Sequence, residues 1–68
     1  MTEYGEMIRA FRKAAGLTQK QLGLACGFDE KNADRNVRGW EAGKSYPTIY
    51  VLRRLSAALG VPIENLVP

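Results

Sequence analysis

The stretch Leu17-Thr18-Gln19-Lys20-Gln21-Leu22-Gly23-Leu24-Ala25-Cys26-Gly27 can fold in few ways. Thr18 is a good helix N-cap, and Gln21, three residues on, completes a capping box. Gly27 is placed to close the helix in a left-handed conformation. Leu22 and Cys26, four residues apart, give it one inward face, and Phe28 turns inward after the stop. Gly23 is unfavourable inside a helix by ~1 kcal/mol relative to alanine. Its expected use is to let a neighbouring backbone come close. Further on, Trp40-Glu41-Ala42-Gly43-Lys44 reads as the end of a second short helix, closed by Gly43. Two short helices joined by a turn are the frame on which the rest must be arranged.

The remaining elements are helical too, and the fold class is all-α. Helix 1 is expected from about Glu3 to Ala15, because Tyr4, Ile8, Phe11 and Ala15 recur as one stripe. Glu3 and Glu6 lie in its first turn, where the dipole favours acids. Gly16 stops it and Leu17 returns to the core. The next element after Gly27 is expected from roughly Glu30 or Lys31 to Ala42, with Val37, Trp40 and Glu41 on one face. Its start is open: Asp29 caps it, or it begins after a loop through Asn32. Helix 4 opens on Thr48 after Pro47, buries Ile49, Leu52, Leu55 and Leu59, and ends at Gly60. A fifth, last turn runs from Pro62 to Leu66, with proline at a permitted first-turn position.

Sixty-eight residues permit one domain, here 1–68. A chain of this size buries only about 60% of its unfolded surface, so a stability of a few kcal/mol is expected. No apolar run approaches the ~18 residues of a membrane span, and no secretory pattern opens the chain. A cytoplasmic location and no membrane contact are expected. There is no histidine, and Cys26 is the only cysteine. The carboxylates do not cluster at ligand spacing, so neither a metal nor a cofactor is expected. Cys26 reads as a small core group rather than a nucleophile. Without a nucleophile–base pair or a phosphate-cradling glycine loop, nothing points to an enzyme.

The formal charge is +3, and its placement is more informative than its size. From Arg9 to Lys20 there are four bases and no acids; from Arg35 to Arg54 there are five bases and one acid, Glu41. Two basic segments suit phosphate contact. Solvated helix faces would give the same pattern.

Four groups of residues stand out. Arg12, four after Ile8, and Glu41, four after Val37, are charges where a hydrophobe is expected. Burying either alone is costly, so they are expected to pair and tie helix 1 to the end of helix 3. Thr18, Gln19 and Lys20 open helix 2, where backbone N–H groups and the positive dipole end suit a phosphate oxygen. On helix 3, Asp34, Arg35, Asn36 and Arg38 point outward or sideways. Arginine can bond guanine O6 and N7 together, and asparagine can do the same for adenine N6 and N7. Asp34 either accepts from cytosine N4 or holds Arg35 or Arg38 in place. Lys44, Ser45 and Tyr46 then form a turn suited to clamping a phosphate. Arg53 and Arg54 read as surface charges.

These signals together resemble the Cro/repressor, or XRE, type of helix-turn-helix, a lambda-repressor-like fold. The likeness is carried by Gly5, Ile8-Arg9, Arg12, Gly16-Leu17-Thr18-Gln19, Leu22, Gly27, Trp40-Glu41, Gly43-Lys44, Pro47, Leu55, Ala58-Leu59-Gly60-Val61 and Leu66. It covers nearly the whole chain. It implies a compact five-helix domain, with the helix-turn-helix at about 18–42 and the recognition helix at about 31–42 in the DNA major groove. It implies that Gln19 touches the phosphate backbone and that Arg12 joins Glu41. Base contacts fall on Asp34, Arg35, Asn36 and Arg38, with Ala33 beside them. A homodimer on an inverted repeat is implied, with Val51, Ile63 and Val67 as apolar interface candidates. The implied function is a transcriptional regulator, a repressor of phage, plasmid or mobile-element type, with no small-molecule effector. The alternative is a protein-interaction module, such as an antitoxin that autoregulates through DNA. A tail to wrap a toxin is not expected within these residues.

Two departures from the family pattern stand out. Between Phe28 and Val37 the chain is about four residues longer than usual, the surplus being Asp29-Glu30-Lys31-Asn32. It adds either a helical turn to helix 3 or length to the turn before it, and it brings acids near phosphates, which weakens nonspecific binding. Gly39 stands where the family often has a polar DNA-facing side chain, and would allow close backbone approach instead.

Overall fold

The computed structural model describes residues 3–68 and contains, among them, no strand. Four α-helices follow one another: α1 (Glu3–Ala14), α2 (Gln19–Ala25), α3 (Ala33–Glu41) and α4 (Ile49–Leu59). A single 3-10 turn, Ile63–Asn65, stands where a fifth helix was expected. With Pro62 leading in and Leu66 fully buried, the chain turns back to the core before an α-helical turn can close.

Each helix ends as its local chemistry dictates. Thr18 has extended backbone and its hydroxyl accepts from Gln21 N at 3.0 Å, while Thr18 N donates to Gln21 Oε1 at 2.9 Å. That is the full capping box. Thr48 likewise accepts from Val51 N. Gly60 caps α4 with φ of 68°, a conformation in which a Cβ would be strained.

The core is one cluster: Ile8, Leu22, Cys26, Val37, Trp40, Leu52, Leu55 and Leu66. The Phe28 ring packs on Trp40 at 5.9 Å between centroids. Two glycines set how closely the helices approach. A Cβ on Gly5 would overlap the carbonyl of Glu41, and one on Gly23 would overlap the backbone of Ala33. The expected role of Gly23 is thereby met, and α3 begins where its backbone lies against α2.

That contact also decides the start of α3. Residues 29–32 lengthen the turn rather than the helix. Asp29 Oδ1 accepts from both Asn32 N and Asn32 Nδ2 at 2.9 Å, and Ala33 N donates to Asp29 O at 2.9 Å. Two further expectations are corrected. Ala15 is exposed, because α1 has ended and Gly16 is already turning the chain away. Ile49 is 53% exposed: it is the first residue of α4, and the helix buries Leu52 and Leu55, further along, while it packs on α2 and the 3-10 turn.

Candidate nucleic-acid interface

Arg12 and Glu41 meet as the spacing required. Arg12 Nε donates to Glu41 Oε2 at 2.6 Å and Nη2 to Oε1 at 3.2 Å, with the two residues 9% and 4% exposed. Arg12 Nη1 also donates to Leu17 O at 2.9 Å. Gln19 Nε2 reaches the same carboxylate, donating to Oε1 at 3.2 Å. Glu41 therefore joins three elements: α1 through Arg12, α2 through Gln19, and α3 on which it sits. Among the described residues no buried side-chain nitrogen or oxygen lacks a partner.

This network forms the floor of a groove of about 530 Å³ between the start of α2 and the end of α3. Arg9, Thr18, Gln19 and Arg38 line it beside the pair. Arg9 counts in the sequence toward the family likeness and the first basic segment, but not among the candidate site residues. The signal was there: it lies three residues before Arg12, a neighbour on the same helix face.

The outward face of α3 follows from its inward one. Ala33, Val37 and Trp40 are buried, which turns Arg35 and Arg38 to solvent. Ala33 is fully buried against Gly23, so it does not reach the surface as a base contact. Asp34 and Asn36 are half-buried and both have local partners. Asp34 Oδ2 lies 3.6 Å from Arg38 Nη2, one turn on, and Asn36 Nδ2 donates to Asn32 O at 2.8 Å.

A second groove, of about 340 Å³, lies between α3 and the following turn, lined by Arg35, Asn36, Arg38, Gly39, Lys44 and Ser45. Lys44 N donates to Gly39 O at 2.9 Å, which fixes that turn against the helix. Lys44, Ser45 and Tyr46 are exposed. Tyr46 stacks edge-on against Tyr4, 5.3 Å between centroids, and Tyr4 Oη donates to Leu66 O at 2.6 Å. Burial, and then the neighbouring Tyr46, push the Tyr4 hydroxyl up to about 12.

Elsewhere, Lys20 forms an exposed ion pair with Glu30 at 3.3 Å. Arg54 is less detached than the sequence implied: a Cβ on Gly27 would stand 2.9 Å from Arg54 Nη1, so its guanidinium covers the end of α2. Cys26 is 4% exposed, and burial pushes its thiol up to about 11 against the opposing pull of Arg54. A neutral, covered thiol suits a core residue. Val51 and Ile63 pack against the core, while Val67 is 48% exposed. Among the described residues no three histidine, cysteine or carboxylate side chains cluster to hold a metal.

Residues 8–66 match the family described as Helix-turn-helix. The type II methyltransferase M1.ScrFI of Lactococcus lactis subsp. cremoris is 43% identical over 47 residues. That segment is 69% of this chain but 12% of the methyltransferase, so the likeness reaches only a small part of that protein. No solved structure matches the chain.

Proposed function

The chain belongs to the Cro/repressor (XRE) type of helix-turn-helix family, and from that premise we propose that it is a sequence-specific regulator of transcription acting on double-stranded DNA. The observation that carries the reading is the outward face of α3. Arg35 and Arg38 stand one above the other in solvent because Val37 and Trp40 hold the helix by its opposite side. A helix presented this way can enter a major groove, whose width of about 12 Å admits it. Arg35 takes a guanine edge; Arg38 and Asn36 stand beside it, and Asp34 steadies Arg38 from one turn away.

Phosphate contacts flank the helix on both sides. Thr18, Gln19 and Lys20 open α2 on one side, and Lys44, Ser45 and Tyr46 follow α3 on the other. Such contacts fix orientation and carry the salt dependence, while the arginines choose the sequence. The fuller reading is a homodimer on an inverted repeat, acting as a repressor of the kind carried by phage, plasmids or mobile elements. Val51, Ile63 and Val67 are its interface candidates.

Selection of bound duplexes from a random pool tests this directly. The expected product is one recurring half-site, repeated in inverted order about one helical turn apart. Against that site Arg35→Ala should lose about 1–3 kcal/mol and relax base choice at one position. Gln19→Ala should weaken all sequences alike. A pool that yields no enriched sequence, or an Arg35→Ala variant that binds as tightly as wild type, overturns the assignment.

A further inference from the structure

We propose that the lengthened turn 29–32 takes part in choosing the sequence: Asp29 and Asn32 hold the Asn36 amide in one orientation, and that orientation favours adenine at the base it meets. The inference rests on the DNA-binding reading and deepens it. It begins at Asp29. Its Oδ1 accepts from Asn32 N and from Asn32 Nδ2, both at 2.9 Å, so one carboxylate oxygen fixes the main chain and the side chain of Asn32 together. Ala33 N donates to Asp29 O at 2.9 Å and ties the same turn to the first residue of α3. The main-chain oxygen of Asn32 then accepts twice, from Asn36 N at 3.0 Å and from Asn36 Nδ2 at 2.8 Å. Both of its lone pairs are engaged.

A main-chain oxygen accepts and never donates, so only the NH2 end of the Asn36 amide can face it. Turning the amide over would set oxygen against oxygen. Oδ1 is therefore directed away from the turn. Among the described residues it accepts from no donor, and none of their buried side-chain oxygens lacks a partner, so Oδ1 is open to solvent. Asn36 lines the second groove beside Arg35 and Arg38. What it offers there is an acceptor and the one N–H left over from Asn32. Adenine answers both, with N6–H and N7. Cytosine answers only the acceptor, through N4–H. Guanine O6 and thymine O4 bring an acceptor against Oδ1. An asparagine free to turn over would meet those two with its NH2 instead, and would discriminate less. The four residues by which this chain exceeds the usual pattern thus act on one base through Asn36, and Asp29 and Asn32 are positioning residues.

The test competes the selected duplex against every single-base variant of it. Wild type should prefer adenine about tenfold over guanine or thymine at one position per half-site, with cytosine between, and Asn36→Ala should flatten that position. Asp29→Ala should lose most of the same preference. Asn32→Ala, which removes one bond to Asp29 and tests the link should Asp29→Ala not fold, should lose about half of it. Both should keep wild-type discrimination at the position that Arg35→Ala relaxes, which a general loss of structure would not spare. Asp29→Asn keeps an oxygen for the same two donors and removes the charge, so it should retain the adenine preference. In the free protein the Asn36 side-chain amide protons should exchange with solvent more slowly in wild type than in Asn32→Ala. Wild-type base order in either alanine variant of the turn, relaxation at every position alike, or a loss as deep in Asp29→Asn as in Asp29→Ala overturns the role of the turn and leaves the regulator standing. So does a wild type that prefers guanine or thymine at the position Asn36→Ala flattens, or an Asn36→Ala that flattens none. A wild type that selects no duplex overturns both.

Discussion

Removing Arg12 should damage this protein more than removing both members of its ion pair. In Arg12→Met, Glu41 keeps the Gln19 donor on Oε1 but loses Arg12 from both oxygens, at 4% exposure. Stranding one charge of a buried pair costs about 3–5 kcal/mol. A domain of this length has a total stability of about 3–10 kcal/mol, so the single change removes from about a third of it to all of it. Glu41→Leu should be milder. Arg12 keeps its bond to Leu17 O, and its long stem lets the guanidinium reach the adjoining groove. The double variant Arg12→Met/Glu41→Leu replaces the pair by apolar groups and should recover most of the loss. Urea denaturation followed by circular dichroism reads all three, with the midpoint falling furthest for Arg12→Met and the slope unchanged. If the double variant is as unstable as the two single losses added together, the two side chains do not act as a pair and the reasoning fails.

Other outcomes follow from the same geometry. Gly23→Ala should destabilise by more than about 2 kcal/mol despite alanine's better propensity, because its Cβ forces α3 off α2; a melting temperature at or above wild type would contradict the close approach. Glu30→Gln should leave stability within about 0.5 kcal/mol, since its pair with Lys20 is exposed, yet tighten binding to every duplex alike at low salt. Equal affinity before and after that change would show that Lys20 meets no phosphate. Stability should decline on the alkaline side. Cys26 rises from 9 to about 11 on folding and Tyr4 from 10 to about 12, so the folded state holds protons that the unfolded state releases first. Their contribution is complete below pH 9 and is lost as pH rises through about 11 and 12. The cysteine's part is up to about 3 kcal/mol. Urea midpoints measured at pH 8 and pH 11 check it, and a flat profile would contradict the burial of both groups.

What the sequence revealed best was whatever is decided within a few residues. The box of Thr18 and Gln21, the cap at Thr48 and the stop at Gly60 need no tertiary partner, and each stands where it was read. The Arg12–Glu41 pair spans 29 residues, but it was legible because both members break an apolar stripe. The beginning of α3 was not legible. Asp29 is an equally good opening for a helix or for a turn, and the choice falls to the contact between Ala33 and Gly23, which no local pattern encodes. Ile49 shares the spacing of Leu52 and Leu55, yet spacing places a residue on a face and cannot say where the neighbouring elements end.

The same limit separates the two kinds of site residue. Arg35 and Arg38 are outward because Val37 and Trp40 are inward, a consequence of helical period alone. The groove partners come from different elements. Gln19 turns out to bond Glu41 across a loop, and Ser45 rests over a glycine six positions earlier. On the proposed DNA-binding reading Gln19 carries a double duty, and its bond to Glu41 is the half that its place in the first turn of α2 did not reveal. One end of its reach is the carboxylate that fixes α1 against α3, and the other is the proposed phosphate side of α2. A phosphate that drew Gln19 away from Glu41 would leave Arg12 to hold the carboxylate alone, and would couple backbone contact to the anchoring of α3 through one amide. Gln19→Glu strikes both roles at once. It puts a second carboxylate beside Glu41 and a negative charge toward the DNA, so it should lower both the urea midpoint and the affinity for every sequence. Gln19→Ala should lower affinity with at most about 1 kcal/mol of stability lost. If Gln19→Glu keeps wild-type stability, the amide is not held at Glu41 in solution, and the coupling falls.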